Sequence, residues 1–360
     1  MKTPKSFTIQ LLAGANVATA IMMLAVGYSD RINPATHPIL ANIGLLFPLF
    51  IALNILFAII WLTIRKHMIW LPVAAMIAAY APVRTYMPFN ISREPPEGAI
   101  KVLSYNTFYF STWTDPDAPC EIADYISRHN ADIVCLQEAN AQGWREAKLD
   151  SLLKLDYIHS DTTVISSNSE HIRLLSKMPI VGKEHIFTSD GTCANATAFR
   201  VLTAKQDTTI VLVCHFKSTG LSTEERSNFK AMMNGELDHS KAKYETKKIW
   251  RTLGVSSALR APQADAVAKY INLHKDQSLI LAGDFNDSPI SYTHHTIASL
   301  LTDCYTSTAN GPGISYHYNG FYVRIDNIMC SKHWRPYACY VDNNIKASDH
   351  YPIICWLERQ

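Results

Sequence analysis

LILAGDFNDSP, residues Leu279–Pro289, sets an apolar run directly against two carboxylates and an amide. Leu279-Ile280-Leu281 predicts a buried strand, and Gly283 and Ser288-Pro289 predict turns. Carboxylates at the end of a buried strand must meet partners, because unpaired buried polar groups are costly. A polar turn capping the next helix would satisfy them too. Other strand ends in the chain have to decide.

The same arrangement recurs. VLSYN ends at Asn106, IVCLQE at Glu138, VLVCH at His215 and ASDH at Asp349-His350, while RIDNI places Asp326 inside an apolar run. Each alone has an ordinary structural reading: a turn, a helix cap, a hydrogen-bonded core histidine, a loop. Together they form an oxygen and nitrogen donor set with surplus carboxylate and no thiolate cluster, which suits a hard divalent cation such as Mg²⁺. Two histidines beside such a site provide donors to a phosphoryl group, or proton transfer near neutral pH. Asp326 is a natural partner to orient one of them.

In this order the motifs LSYN, LQE, LLSKMPI, CHFKS, GDFND, RIDNI and SDHYP resemble the endonuclease/exonuclease/phosphatase superfamily, the deoxyribonuclease-I-like fold, in a membrane-anchored bacterial form. The likeness runs from about Ile100 to the C-terminus. It implies a four-layer α/β sandwich, with two central β-sheets flanked by helices and a divalent metal, Mg²⁺ or Mn²⁺, at the mouth between them. Carried over by motif, Glu138 resembles the principal metal ligand, with Asn106 beside it and Asp349 completing the site. Asp284 and Asn286 resemble the pair that orients the attacking water and the scissile phosphate. His350 resembles the histidine paired with Asp326, and His215 a second histidine that steadies the phosphate or leaving oxygen. The general base is Asp284 or His350. Asn106 lacks the nearby acid of some apurinic-site nucleases, so that activity is not implied. Lys177 stands where Arg is frequent, and Ser176 and Lys177 read as scaffold or phosphate contacts.

Composition divides the chain. Its formal net charge is +2 and 48% of its 360 residues are hydrophobic, but up to Asn90 the only charged residues are Lys2, Lys5, Arg31, Arg65, Lys66, Arg84 and Asp30. Removing those six bases and one acid from the totals of 33 and 31 leaves 27 and 30, a net of −3 for residues 91–360. No broad polyanion-binding surface is implied. Three apolar stretches, about 7–28, 38–64 and 68–83, make residues 1–87 a transmembrane helical anchor, since a bilayer core takes roughly 20 apolar residues. The third holds Pro72 and Pro82 and reads equally as an interfacial or re-entrant segment. Lys2, Lys5 and Arg65-Lys66 favour the cytoplasmic side, which puts a domain at 99–360, after a Pro-rich linker at 88–98, outside the cytoplasm of a bacterial inner membrane.

Strands are expected at Ile100–Tyr105, Ile133–Leu136, Ile210–His215, Leu279–Gly283, Ile325–Cys330 and Pro352–Leu357, and helices at Cys120–His129, Glu224–Asn234 and from Pro262 to about His274. Lys241, Lys243, Lys247, Lys248 and Arg251, with Tyr244 and Trp250 interleaved, read as a solvated helix face rather than a lid over substrate. Arg260 and Gln263 read as structural. All eight cysteines follow residue 90 without a C-x-x-C pair. Cys135, Cys214, Cys330 and Cys355 read as core, zinc is not expected, and disulfides would be permitted outside the cytoplasm.

The functional expectation is a membrane-anchored, divalent-metal-dependent phosphoesterase that cleaves a phosphodiester, nuclease-like, by in-line attack of water. The alternative is a phospholipid head-group or small phosphate-ester hydrolase of the same fold, which fits the anchor better. A non-enzymatic receptor or scaffold would have lost a principal site residue, and none is missing. The expected partners are accordingly a lipid bilayer and a phosphate-ester substrate, either nucleic acid or a phospholipid head group.

Overall fold

The structure, a computed structural model, describes residues 4–165, 170–203 and 207–360; Lys2 lies outside them. Four helices come first: α1 (Pro4–Gly27), α2 (Phe47–Ile64), α3 (Trp70–Ala78) and α4 (Tyr80–Tyr86). Phe7–Arg31 and Leu40–Ile64 are long and apolar enough to cross a membrane. The third expected segment is the α3–α4 pair, bent by 70°. Beyond it, among the described residues, twelve strands form two six-stranded sheets.

The first sheet has the order β11-β12-β1-β2-β4-β3, built from β1 (Ile100–Asn106), β2 (Ile133–Gln137), β3 (His159–Val164), β4 (His171–Ser176), β11 (Trp334–Val341) and β12 (Ile353–Arg359). The second has the order β5-β6-β7-β8-β10-β9, built from β5 (Ile180–Phe187), β6 (Cys193–Thr203), β7 (Asp207–His215), β8 (Ser278–Asp284), β9 (Thr302–Asp303) and β10 (Asp326–Cys330). Successive strand side chains face opposite ways, so runs buried on both faces read as continuously apolar. Val102, Ile133 and Cys135 of one sheet pack against Val211, Val213 and Ile280 of the other. Their neighbours Leu103, Tyr105, Val134 and Leu136 turn outward onto α5 (Glu121–His129) and α6 (Trp144–Leu153). On the far side Leu212, Leu279 and Leu281 pack under α8 (His239–Leu273), which follows α7 (Thr223–Met233), and under α9 (Tyr292–Ala298). Helix, sheet, sheet, helix: the four-layer sandwich is the fold.

Topology then gathers the polar strand ends. β1 and β2 pair in parallel, as do β7 and β8, so their C-termini point the same way. β12 runs antiparallel to β1 and β10 antiparallel to β8, bringing the starts of those strands to the same end of the sandwich.

Two expectations need correction. Pro262 does not open a helix; it lies inside the 35-residue α8. A proline removes one donor from the helical ladder, and here the buried face around it, Ala261, Ala264, Val267 and Ala268, still packs on the domain. Gly283 is not a turn but the sixth residue of β8. Its φ is +151°, and a Cβ there would lie 2.0 Å from the Cys214 carbonyl oxygen of β7. Gly283→Ala should therefore destabilise the fold by about 3 kcal/mol, combining backbone strain with overpacking. Equilibrium unfolding in denaturant checks this, and an unchanged midpoint would show that β7 yields at no cost. The four cysteines expected in the core are fully buried, and all eight are free thiols.

The apolar N-terminal region is docked on the sandwich, not merely strung to it. Ser257 Oγ donates to Asn42 Oδ1 at 2.9 Å, and His295 meets Asp30 at 3.1 Å. The buried Arg324 guanidinium donates to the carbonyls of Thr85 and Tyr86. Gly44 has no side chain where the Ile290 carbonyl passes: a Cβ there would lie 2.1 Å from that oxygen. In the expected linker, Pro88 and Asn90 are fastened to residues 306–311.

Candidate active site

Asn106 ends β1 and pairs with Gln137, so Glu138 follows immediately at the end of β2. His215 ends β7 opposite Asp284, which ends β8; Asp326 opens β10 opposite Asp284 as well. Asp349 and His350 lie just ahead of β12. All eight residues singled out from the sequence thus reach one mouth. Glu138 and Asn286 have left-handed backbones, φ 49° and 51°, a conformation that costs a non-glycine residue about 1–3 kcal/mol and persists where the surroundings fix it.

Asp284 is the hub. It is buried, and its Oδ1 accepts from the Asn286 backbone N–H at 2.7 Å, while Oδ2 accepts from Asn106 Nδ2 at 3.1 Å. His215 Nε2 and His350 Nε2 each stand 3.7 Å from Oδ2. His350 Nδ1 is hydrogen-bonded to Asp326 Oδ2 at 2.8 Å, and the backbone of that strand end is set by Ser315 Oγ, which accepts from the N–H groups of Ile325 and Asp326. His215 is buried with neither ring nitrogen hydrogen-bonded among the described residues; Glu138 lies 3.6 Å away and Glu170 3.9 Å.

Crowded carboxylates make the site electrostatically expectant. Desolvation, with the charges of Asp349 and Asp284, pushes Glu138 up to about 8 against the pull of His350. Burial likewise raises Asp284 above the usual carboxylate range, with Asp326 adding to it. For His350 burial works against the imidazolium, but Asp326 and Asp284 outweigh it and push the group up to about 10. Burial lowers His215. Acids raised chiefly by burial and further by one another, in an oxygen-rich donor set, fit a divalent cation. Among the described residues Asp284, Asp326 and His350 offer potential ligand atoms all within 4.8 Å of one another, a different set from Glu138, Asn106 and Asp349, to which the motifs assign the cation.

The site also holds residues that the motifs did not reveal. Tyr316 sets its ring edge-on to His350, centroids 5.0 Å apart, and Arg226 lies over Tyr316. Arg260 and Gln263 are structural, as expected: Arg260 pairs with Asp287 at 3.3 Å and donates to the Lys217 carbonyl, while Gln263 accepts from the Lys217 N–H. Ser176 and Lys177 are not phosphate contacts. Ser176 pairs with Ile133, at the opposite end of β2 from Glu138, and Lys177 binds the Asn130 carbonyl. The basic cluster of α8 is a solvated face, with Lys241, Lys243, Lys247 and Arg251 exposed and Lys248 3.9 Å from Glu225.

A two-sheet α/β sandwich that delivers carboxylates and histidines from both sheets to one mouth defines a phosphoesterase-type fold. The family model described as the endonuclease/exonuclease/phosphatase family matches residues 103–350, more than half of the chain, and the chain belongs to that family. Its members hydrolyse phosphoester bonds. Residues 9–86 match a model described as a domain of unknown function. Solved structures similar to the chain include the human Nocturnin catalytic domain with bound sulfate anion, at 16% identity and TM-score 0.50, covering 74% of this chain and 97% of that one. A functionally unknown conserved protein from Enterococcus faecalis V583 is 14% identical with TM-score 0.50, covering 72% and 100%. At such identities the likeness shows the fold. No curated protein matches the chain.

Proposed function

We propose that the protein is a membrane-anchored, divalent-metal-dependent phosphodiesterase that hydrolyses its ester by in-line attack of water. The observation that carries this reading is the position of Asp284, 3.1–3.7 Å from Asn106, His215 and His350 at the mouth. Glu138, Asn106 and Asp349 would hold the cation, Mg²⁺ or Mn²⁺; when bound it supplies positive charge to phosphoryl oxygens and acidifies water. Asp284, held by Asn286 and Asn106, takes a proton from the attacking water. Tied at Nδ1 by Asp326, His350 presents Nε2 to a phosphate oxygen, and His215 faces the departing one. Turnover of bis(p-nitrophenyl) phosphate by the purified full-length chain with Mg²⁺ tests the reading, and complete inactivity across nucleic acid, phospholipid and soluble esters would refute it.

The anchor and its orientation are part of the proposal. α1 and α2 run from and towards the same face, so the turn at Arg65-Lys66 lies at the far end of α2 from Asn42 and the sandwich. With basic residues on the cytoplasmic side, the sandwich lies outside the cytoplasm. A reporter fused after Gln360 should be active only there; activity confined to the cytoplasm would reverse the assignment.

A further inference from the structure

The cavity over Asp284, Glu138 and His350 is not enclosed by the sandwich alone. Asn42 and Leu45, from the turn that leads into α2, form part of its wall. Apolar side chains from the sandwich, Leu221, Leu253, Phe321, Val323 and Ile325, line the same cavity. Leu45 is itself 38% exposed, and its neighbours along the chain, Leu46 and Leu49, are exposed on the outer surface of the apolar helix. Leu45 therefore carries the apolar segment that leads into α2 to the edge of the chamber that holds the acids and histidines.

The cavity's two arginines do not make it a polyanion groove. Arg260 is neutralised by Asp287, and Arg226 is directed to Tyr316 and to the Leu221 carbonyl. Binding a nucleic-acid backbone needs a basic track along successive phosphates, whereas this chamber sets acids and a histidine beside an apolar wall. One residue of that wall, Leu45, comes from the segment that would meet the bilayer.

Resting on the phosphoesterase reading, we propose that the substrate is the phosphate ester of a membrane lipid, its phosphate at Asp284 and His350 and its apolar portion against Leu45 and Phe321. Water's oxygen bonds to phosphorus as the P–O ester bond breaks. One water proton passes to Asp284 and from there to solvent, and the departing alkoxide takes one proton from solvent to leave as an alcohol, while the second water proton stays on the new phosphate oxygen.

The test uses the full-length chain reconstituted with Mg²⁺ in vesicles of phosphatidylethanolamine and phosphatidylglycerol, with bis(p-nitrophenyl) phosphate as the soluble ester. Wild-type protein should release phosphorylated head group or convert lipid, and Leu45→Asp should lower the ratio of lipid to soluble-ester turnover by at least about tenfold, as expected from placing a charge against an apolar chain. Leu45→Met, which keeps the wall apolar, should restore the ratio. Independently of turnover, a photoreactive group on a vesicle lipid's acyl chain should crosslink within residues 40–46 or 316–325. Hydrolysis of the soluble ester with no lipid turnover, or a Leu45→Asp variant that melts like wild type with an unchanged ratio, overturns the lipid assignment and leaves the phosphoesterase standing. Crosslinking at the cavity without hydrolysis of any ester removes the phosphoesterase reading itself.

Discussion

Asp284→Asn and His350→Ala should each lower phosphoester turnover by about 10²–10⁴-fold, the range lost when a positioned proton-transfer group is removed. Asparagine keeps one oxygen to accept from the Asn286 N–H but cannot take a proton from water. Alanine at 350 leaves Asp326 without the ring it holds at 2.8 Å. Stability separates this from a merely structural part for the motif. Asp284 is a buried acid crowded by Asp326 and raised by desolvation, so removing its charge relieves repulsion, and Asp284→Asn should melt at or above the wild-type temperature. Because both residues serve one transition state, the double variant should lose much less than the product of the single losses. Steady-state turnover beside thermal melting decides. Wild-type turnover from either folded variant would remove the assigned roles, and loss that tracks unfolding would return GDFND to a structural turn.

Chelation should abolish activity, with Mg²⁺ or Mn²⁺ restoring it. Glu138→Gln should raise the Mg²⁺ concentration needed for half-activity by about 10–100-fold or more, a range seen on losing even a residue that only orients a ligand. A second readout avoids activity altogether. A cation that binds only the folded chain stabilises it by about 2.7 kcal/mol at a hundredfold excess over its dissociation constant. Added Mg²⁺ should therefore raise the melting temperature of the wild type and much less that of Glu138→Gln. Activity surviving exhaustive chelation, with no thermal shift, would exclude the metal from the reaction.

The central strands were legible because both faces of β1, β2, β7 and β8 are buried, which writes an unbroken apolar run that ends where the polar mouth begins. β5 was not legible: its burial is broken and its exposed positions carry Val181, Lys183, Glu184 and Phe187, so no run announces it. Pro262 looks like a helix start in the sequence because a proline breaks the local pattern, while the packing of the whole 35-residue α8 carries the helix through it. The site residues were legible as motifs, since each lies within a few residues of a strand end. Tyr316 and Arg226 were not, because a loop and a helix bring them to His350 through tertiary packing with no period or spacing to mark them. Asn42 and Leu45 were hidden for a related reason: they belong to a stretch whose composition reads only as apolar.

On the membrane-bound reading proposed above, Gly44 has a consequence for kinetics. With no side chain there, the turn before α2 lies directly on the Ile290 carbonyl, and together with the Asn42, Asp30 and Arg324 contacts it fixes the height and tilt of the chamber relative to the apolar helices. A catalytic head on a floppy tether samples a volume and responds to moles per litre. A head clamped at one height samples a plane. For a lipid substrate the rate of such an enzyme follows mole fraction in the surface, so diluting the substrate with inert lipid slows it while diluting the vesicles in buffer does not, and a bulky residue at position 44 would loosen the clamp and blur that distinction.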